Sequence, residues 1–161
     1  MMMEMLEQTT QMREKITDLE RRSRRNNIRI FSAPEETEGS STSKYVEQLR
    51  KQELQLPEWM EVHIQRAHRA LAPKPDPNAL PRLIIANFLK FETKDMILKK
   101  AWETKIQMGN KQIHFDHDYP AEVVQKRKSY NGIKKVLKER GIRFQTPLTK
   151  IRIHWSNGVK T

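Results

Sequence analysis

The sequence contains no cysteine. Disulfides, thiol catalysis and cysteine-ligated zinc are excluded, and an intracellular setting is the natural expectation. It has no run of about 18 apolar residues, so no membrane-spanning helix is expected. Its first residues, MMMEMLEQTT, carry acids and lack the charged-then-apolar pattern of a secretory signal. Glycine is scarce, five in 161 residues, and none belongs to a Walker-type phosphate loop. HExxH and nucleophile–base motifs are missing too. We therefore expect a binding protein that is not an enzyme, with no cofactor and no small-molecule substrate.

What the chain does have is positive charge. The net charge is +11, and charged residues make up 32% of the chain against 36% hydrophobic. That balance favours a polyanionic partner, nucleic acid before anionic membrane, and an exposed element such as a coiled-coil strand. The charge is concentrated in two zones. One is RRSRRNNIR, with Arg21, Arg22, Arg24, Arg25 and Arg29 and no acid. The other is 120–161, with eleven Lys/Arg against Glu122 and Glu139. Two readings of the first zone stand open, a solvated basic hinge or a phosphate-contacting collar.

Residues 1–25 read as helix. Met2, Met5, Thr9, Met12, Ile16, Leu19 and Ser23 fall at alternating spacings of three and four, an a/d seam over about three heptads. Lys15 and Glu20 flank its best pair at g and e. Self-association through Met5, Met12, Lys15, Ile16, Leu19 and Glu20 is expected. The alternative is an amphipathic helix packed on its own domain. Downstream, the pattern predicts a strand over 27–32 and a helix over 44–54 capped by Ser43. A strand over 62–67 and a stiff Pro-rich loop over 72–81 follow. The central strand is expected within 82–91. A helix over 93–104, capped by Thr93 with Met96, Ile97 and Trp102 inward, leads to a strand over 112–115. This βαββαβ order is the ferredoxin-like split unit, whose common nucleic-acid-binding form is the RNA-recognition motif. Beyond it, one basic helix is expected over 121–140 with Gly141 as C-cap. Strands over 142–144 and 151–155 and a turn at Ser156-Asn157-Gly158 complete the chain.

RRSRRNNIRIF with Pro34-Glu35, QRAHRALAPKP, PRLIIANFLKF and FDHDYPAEVVQKRKSY…VLKERGIRF together closely resemble the first open-reading-frame protein of LINE-type retrotransposons. The match is collinear from about Glu14 to Trp155. The resemblance implies a coiled-coil trimer, an RNA-recognition-motif domain and a C-terminal domain. Together these bind single-stranded RNA and DNA as a nucleic-acid chaperone, in cytoplasmic ribonucleoprotein particles with access to the nucleus. Lys15-Ile16-x-x-Leu19-Glu20 resembles the family's trimer motif, with lysine in place of arginine. Asn27 and Arg29 fall on its first-strand residues, Arg82 on the Pro-Arg before the third strand, and Arg127-Lys128 on paired basic residues of the C-terminal helix. Tyr130 falls where the family often has an aromatic. The coiled coil is a stub of the usual length and the C-terminal domain stops inside its hairpin, so a truncated copy is expected. The expected organisation is an α+β chain: coiled-coil stub 1–25, RNA-recognition-motif-like domain 26–117, basic C-terminal domain 118–161.

The expected nucleic-acid contacts are the arginine collar, then Asn27, Arg29 and Phe31 on the open face of the first strand. Arg66, Arg69 and Lys74 form a cationic rim, Arg82 precedes the third strand, and Lys126, Arg127, Lys128, Tyr130 and Lys134 lie on the basic helix. For each group the alternative is a solvated surface. Because Phe88 is expected in the core, the face is poor in stacking groups, and binding should rest on charge with weak sequence selectivity. His114, Asp116 and Asp118 alternate to one side of a strand end. A hydrogen-bonded turn, with Asp118 helping to cap the next helix, is preferred there over a metal site. An alternative function is a coiled-coil scaffold whose basic surface docks acidic proteins. A membrane-surface role is not expected, since 121–140 has too few large apolar groups.

Overall fold

The computed structural model describes all residues except 58, 61, 109, 148, 156, 157 and 161. The fold is mixed α+β, with five helices among the described residues. The chain forms two compact units, Arg22–Asp118 and a second made of Met1–Arg21 with Tyr119–Thr161.

In the unit Arg22–Asp118 the elements are β1 (Asn27–Phe31), α2 (Thr42–Glu53), β2 (Ile64–Arg69), β3 (Ile84–Phe88), α3 (Phe91–Glu103), β4 (Ile106–Met108) and β5 (Lys111–His117). They build one five-stranded sheet of order β2-β3-β1-β5-β4. Period-two alternation fixes which side chains go inside. Ile28 and Ile30 of β1 and Ile84 and Ala86 of β3 have no exposed surface, and Phe88 is 2% exposed. They pack with Tyr45, Val46 and Leu49 of α2 and Ile97, Leu98 and Ala101 of α3. These five strand residues face the core as the alternation anticipates.

Several details differ from the sequence reading; β2, expected over 62–67, runs Ile64–Arg69. The cap of α2 is Ser41, whose side chain accepts from the Lys44 amide, so the helix starts before Ser43. α3 begins at Phe91 with no side-chain cap, which leaves Thr93 inside the helix. Its buried stripe is Lys94, Ile97, Leu98 and Ala101, and Met96 and Trp102 are 45% and 55% exposed. The i, i+3, i+4, i+7 stripe includes a lysine, which an apolar-only pattern passes over. The short strand β4 was unanticipated; it pairs with β5 across Ile106↔Ile113.

In the other unit, α1 (Met2–Ser23) contributes all but its last two residues. α4 (Ala121–Lys128), α5 (Asn131–Glu139), β6 (Arg143–Gln145), β7 (Arg152–Trp155) and β8 (Gly158–Lys160) complete it. β6, β7 and β8 form a second antiparallel sheet, with Trp155 opposite Gly158. The expected Ser156-Asn157 turn lies outside the described residues. The single helix expected over 121–140 is two helices. The Ser129 hydroxyl donates back to the Lys126 carbonyl, a local bond that competes with helix continuation, and Asn131-Gly132 follow with low helix propensity. α5 then ends as anticipated at Gly141, at φ +69. The Gly141 amide donates to the Lys138 carbonyl and the Ile142 amide to Leu137, the bond pair of a Schellman ending. α1 has no buried residue. Thr17 donates to Glu122 of α4 at 2.6 Å, and the seam residues Met2, Met5, Met12, Ile16 and Leu19 are 57–80% exposed.

Candidate nucleic-acid interface

In the unit Arg22–Asp118, strand pairing sorts side chains into rows on the face opposite the helices, because directly paired residues share a face. Arg66, Asn87 and Asn27 form one row across β2, β3 and β1. His68, Ile85, Arg29 and Asp116 form the next across four strands, and Phe31 pairs with His114 beyond it. Arg66, His68 and His114 are exposed, while Asn27, Arg29, Phe31, Ile85, Asn87 and Asp116 are half-buried.

One carboxylate organises the β1 side of these rows. Asp118, 6% exposed, accepts from Asn27 Nδ2 at 2.9 Å and from Arg29 Nε at 2.6 Å, with Arg24 at 3.6 Å. Asn27 Oδ1 in turn accepts from Asn87 Nδ2 at 2.6 Å. Asp118 is therefore no cap for α4, whose N-cap is Pro120 without a side-chain bond. It instead joins the chain before and within β1 to the end of β5.

Arg69 lies on the other side of its strand. It pairs with Ile84, a core-facing residue, and is 8% exposed. Its guanidinium donates to both Glu38 oxygens at 3.0 and 2.7 Å and to the carbonyls of Ala33, Pro34 and Arg82. The expected rim position is thus corrected: period two sends Arg69 inward while Arg66 and His68 stay outside. The Arg69 bonds hold the Glu38 carboxyl below its ordinary 4.5. Arg82 donates to Glu35 at 2.6 Å and to the Ala72 carbonyl, and Lys74 pairs with Glu36. These contacts tie the Pro-rich loop to the turn after β1.

The remaining expected residues are dispersed. Arg21 pairs with Asp18 at 2.9 Å, Arg22 is exposed, and Arg25 lies 5.7 Å over the Phe91 ring. Arg127 donates to the Thr146 carbonyl at 2.8 Å and stacks 4.8 Å from the Tyr119 ring. The Tyr130 hydroxyl donates to the Thr149 carbonyl. Both therefore help hold their own unit together. Lys126 and Lys128 are exposed and Lys134 is half-buried.

Sequence reasoning missed Asn87, Glu35, Glu38 and the role of Asp118. Period two puts Asn87 on the outer face of β3, but nothing local pairs Asp118 with Asn27, 91 positions away. It also missed Lys94, 2% exposed, whose amine lies 2.8 Å from His117 Nδ1. Burial pushes its pKa below the ordinary 10.5. Among the described residues no group of three His, Asp or Glu side chains could hold a metal ion, and no helix is long and apolar enough to cross a membrane. No protein-family model and no curated protein matches the chain.

Proposed function

We propose that this protein binds single-stranded RNA and DNA with low sequence specificity and acts as a nucleic-acid chaperone. In this reading it is the RNA-binding protein of a LINE-type retrotransposon particle, as its motifs resemble. The observation that carries the reading is the two-faced sheet of the unit Arg22–Asp118. Its helices cover one face, and its other face carries Arg66, His68, Asn87, Asn27 and Arg29 in adjacent rows. We read the order β2-β3-β1-β5, with two helices on one side, as that of an RNA-recognition motif with β4 added at the edge. A chain of net charge +11 supplies the electrostatic attraction.

Phe31 is the only Phe, Tyr or Trp that the described strand pairings put on this face, so contacts should be ionic and polar more than stacked. Such contacts position a strand without reading much of it. Bringing several strands together on one oligomer is what a chaperone needs; the exposed seam of α1 suits a coiled coil, and the resemblance implies that it is a trimer. The same seam would serve a scaffold that docks acidic proteins. A salt titration separates the two. Affinity for an oligonucleotide of about 30 nucleotides should fall linearly in log salt, by roughly 0.7 per phosphate neutralised. Absence of saturable binding at moderate salt refutes the proposal.

A further inference from the structure

We propose that the relay Asp118–Asn27–Asn87 presets the outer sheet face to receive an exocyclic amine of an unpaired base, with Asn87 Oδ1 as acceptor. The inference rests on the single-strand-binding reading and adds a chemical preference to it. An amide side chain is ambiguous by itself, since its oxygen and nitrogen can exchange places at little cost in shape. Here the chemistry removes the ambiguity. A carboxylate only accepts, and Asp118 already faces the cations Arg29 and Arg24. The Asn27 group beside it at 2.9 Å must therefore be the NH2. That turns Asn27 Oδ1 toward Asn87, so the Asn87 group 2.6 Å away must also be the NH2. The remaining Asn87 group is then the carbonyl oxygen, and no donor to it is found among the described residues.

The surroundings suit a base. Ile85 stands two residues along β3 on the same face, an apolar contact for a ring. Arg66 is the cross-strand partner of Asn87 and is exposed, so it can hold a neighbouring phosphate or a base carbonyl. Adenine, cytosine and guanine carry exocyclic amines; uracil and thymine offer a carbonyl where cytosine has its amine. Cytosine and uracil have nearly the same ring shape, so comparing them isolates donor against acceptor at one position.

The experiment is fluorescence anisotropy with full-length protein and labelled oligo(C) and oligo(U) of about 30 nucleotides, at neutral pH and one salt concentration. Wild type should bind oligo(C) about five-fold tighter, the worth of one net hydrogen bond. N87A should bring the ratio to one. D118N, which can present either an oxygen or a nitrogen to Asn27, should reduce the ratio, because the relay loses its fixed direction. A ratio cancels the general charge effect of either substitution. Should N87A unfold, the wild-type ratio and D118N still decide. Equal wild-type affinities overturn the inference while leaving single-strand binding intact, as does a preference that survives both substitutions. Failure of either oligonucleotide to bind saturably overturns the binding reading itself, and the inference falls with it.

Discussion

Replacing Arg69 with alanine tests whether that residue is a strut or a ligand contact. The guanidinium makes five hydrogen bonds, two to Glu38 and one each to the carbonyls of Ala33, Pro34 and Arg82, and Glu35 lies at 3.4 Å. Removing it leaves the Glu38 carboxylate and three carbonyls without their donor in a site where Arg69 is 8% exposed, while Glu35 keeps its bond from Arg82. Breaking a buried ion pair from one side costs about 3–5 kcal/mol. With a urea dependence of about 1–3 kcal/mol/M, the midpoint should move by roughly 2 M. The loss should also depend on pH. Arg69 holds Glu38 below its ordinary 4.5, so this contribution is complete above that value and fades as pH falls through the lower folded value. Wild type and R69A should therefore converge in acid. The assay is urea unfolding followed by circular dichroism, with oligonucleotide affinity measured in parallel. If R69A unfolds within about 1 kcal/mol of wild type while its affinity falls and its salt slope becomes shallower, the strut assignment is wrong.

Two further outcomes follow from other parts of the molecule. Burial holds Lys94 below its ordinary 10.5, so the folded state releases its proton before the unfolded one, and stability from this group rises with pH between the two values. K94M should flatten that rise; urea midpoints at neutral pH and at about pH 10 measure it, and an unchanged slope refutes the assignment. Ile16 and Leu19 are each 57% exposed on α1, so I16D should lower the mass seen by light scattering at high concentration. An unchanged mass means the seam is not an interface.

The central sheet was legible because its signal is local. Ile28 and Ile30 alternate with Asn27, Arg29 and Phe31, and Ile84, Ala86 and Phe88 alternate with Ile85 and Asn87. Each strand thus declares its inner face without reference to any other. The caps and breaks were less legible because they depend on competition between neighbours. Ser41 and Ser43 are chemically equal candidates, and only the Lys44 amide decides between them. The basic segment from Ala121 onward has helix-like composition throughout. Yet the Ser129 hydroxyl takes up the Lys126 carbonyl, and a new helix starts at Asn131. Lys94 was illegible in kind, since a lysine in the buried stripe of α3 contradicts every hydropathy pattern.

The site was the least legible part, and the reason is pairing. Charge can be read from a sequence, but the partner that occupies a charge cannot. Arg29 meets Asp118, Arg82 meets Glu35 and Arg69 meets Glu38, across 89, 47 and 31 positions. The sequence reading counted all three among the expected nucleic-acid contacts. The structure grades them instead. Arg69 is inward and committed. Arg29 and Arg82, 23% and 26% exposed, are half-committed, so phosphate would have to displace or share a carboxylate to reach them. Arg66 on the sheet and Lys126 and Lys128 on α4 are exposed. A committed cation does not release counterions when a strand arrives, because it holds a protein anion already, and so it adds little to the salt slope. The slope should therefore fall well short of the number of basic residues in the two zones. Under the proposed recognition, a carboxylate that holds an arginine still contributes when it fixes direction, as Asp118 does for Asn27 and, through it, for Asn87. In the proposed reading, net charge governs how strongly a strand is drawn in, and the paired groups govern which face of a base they can meet.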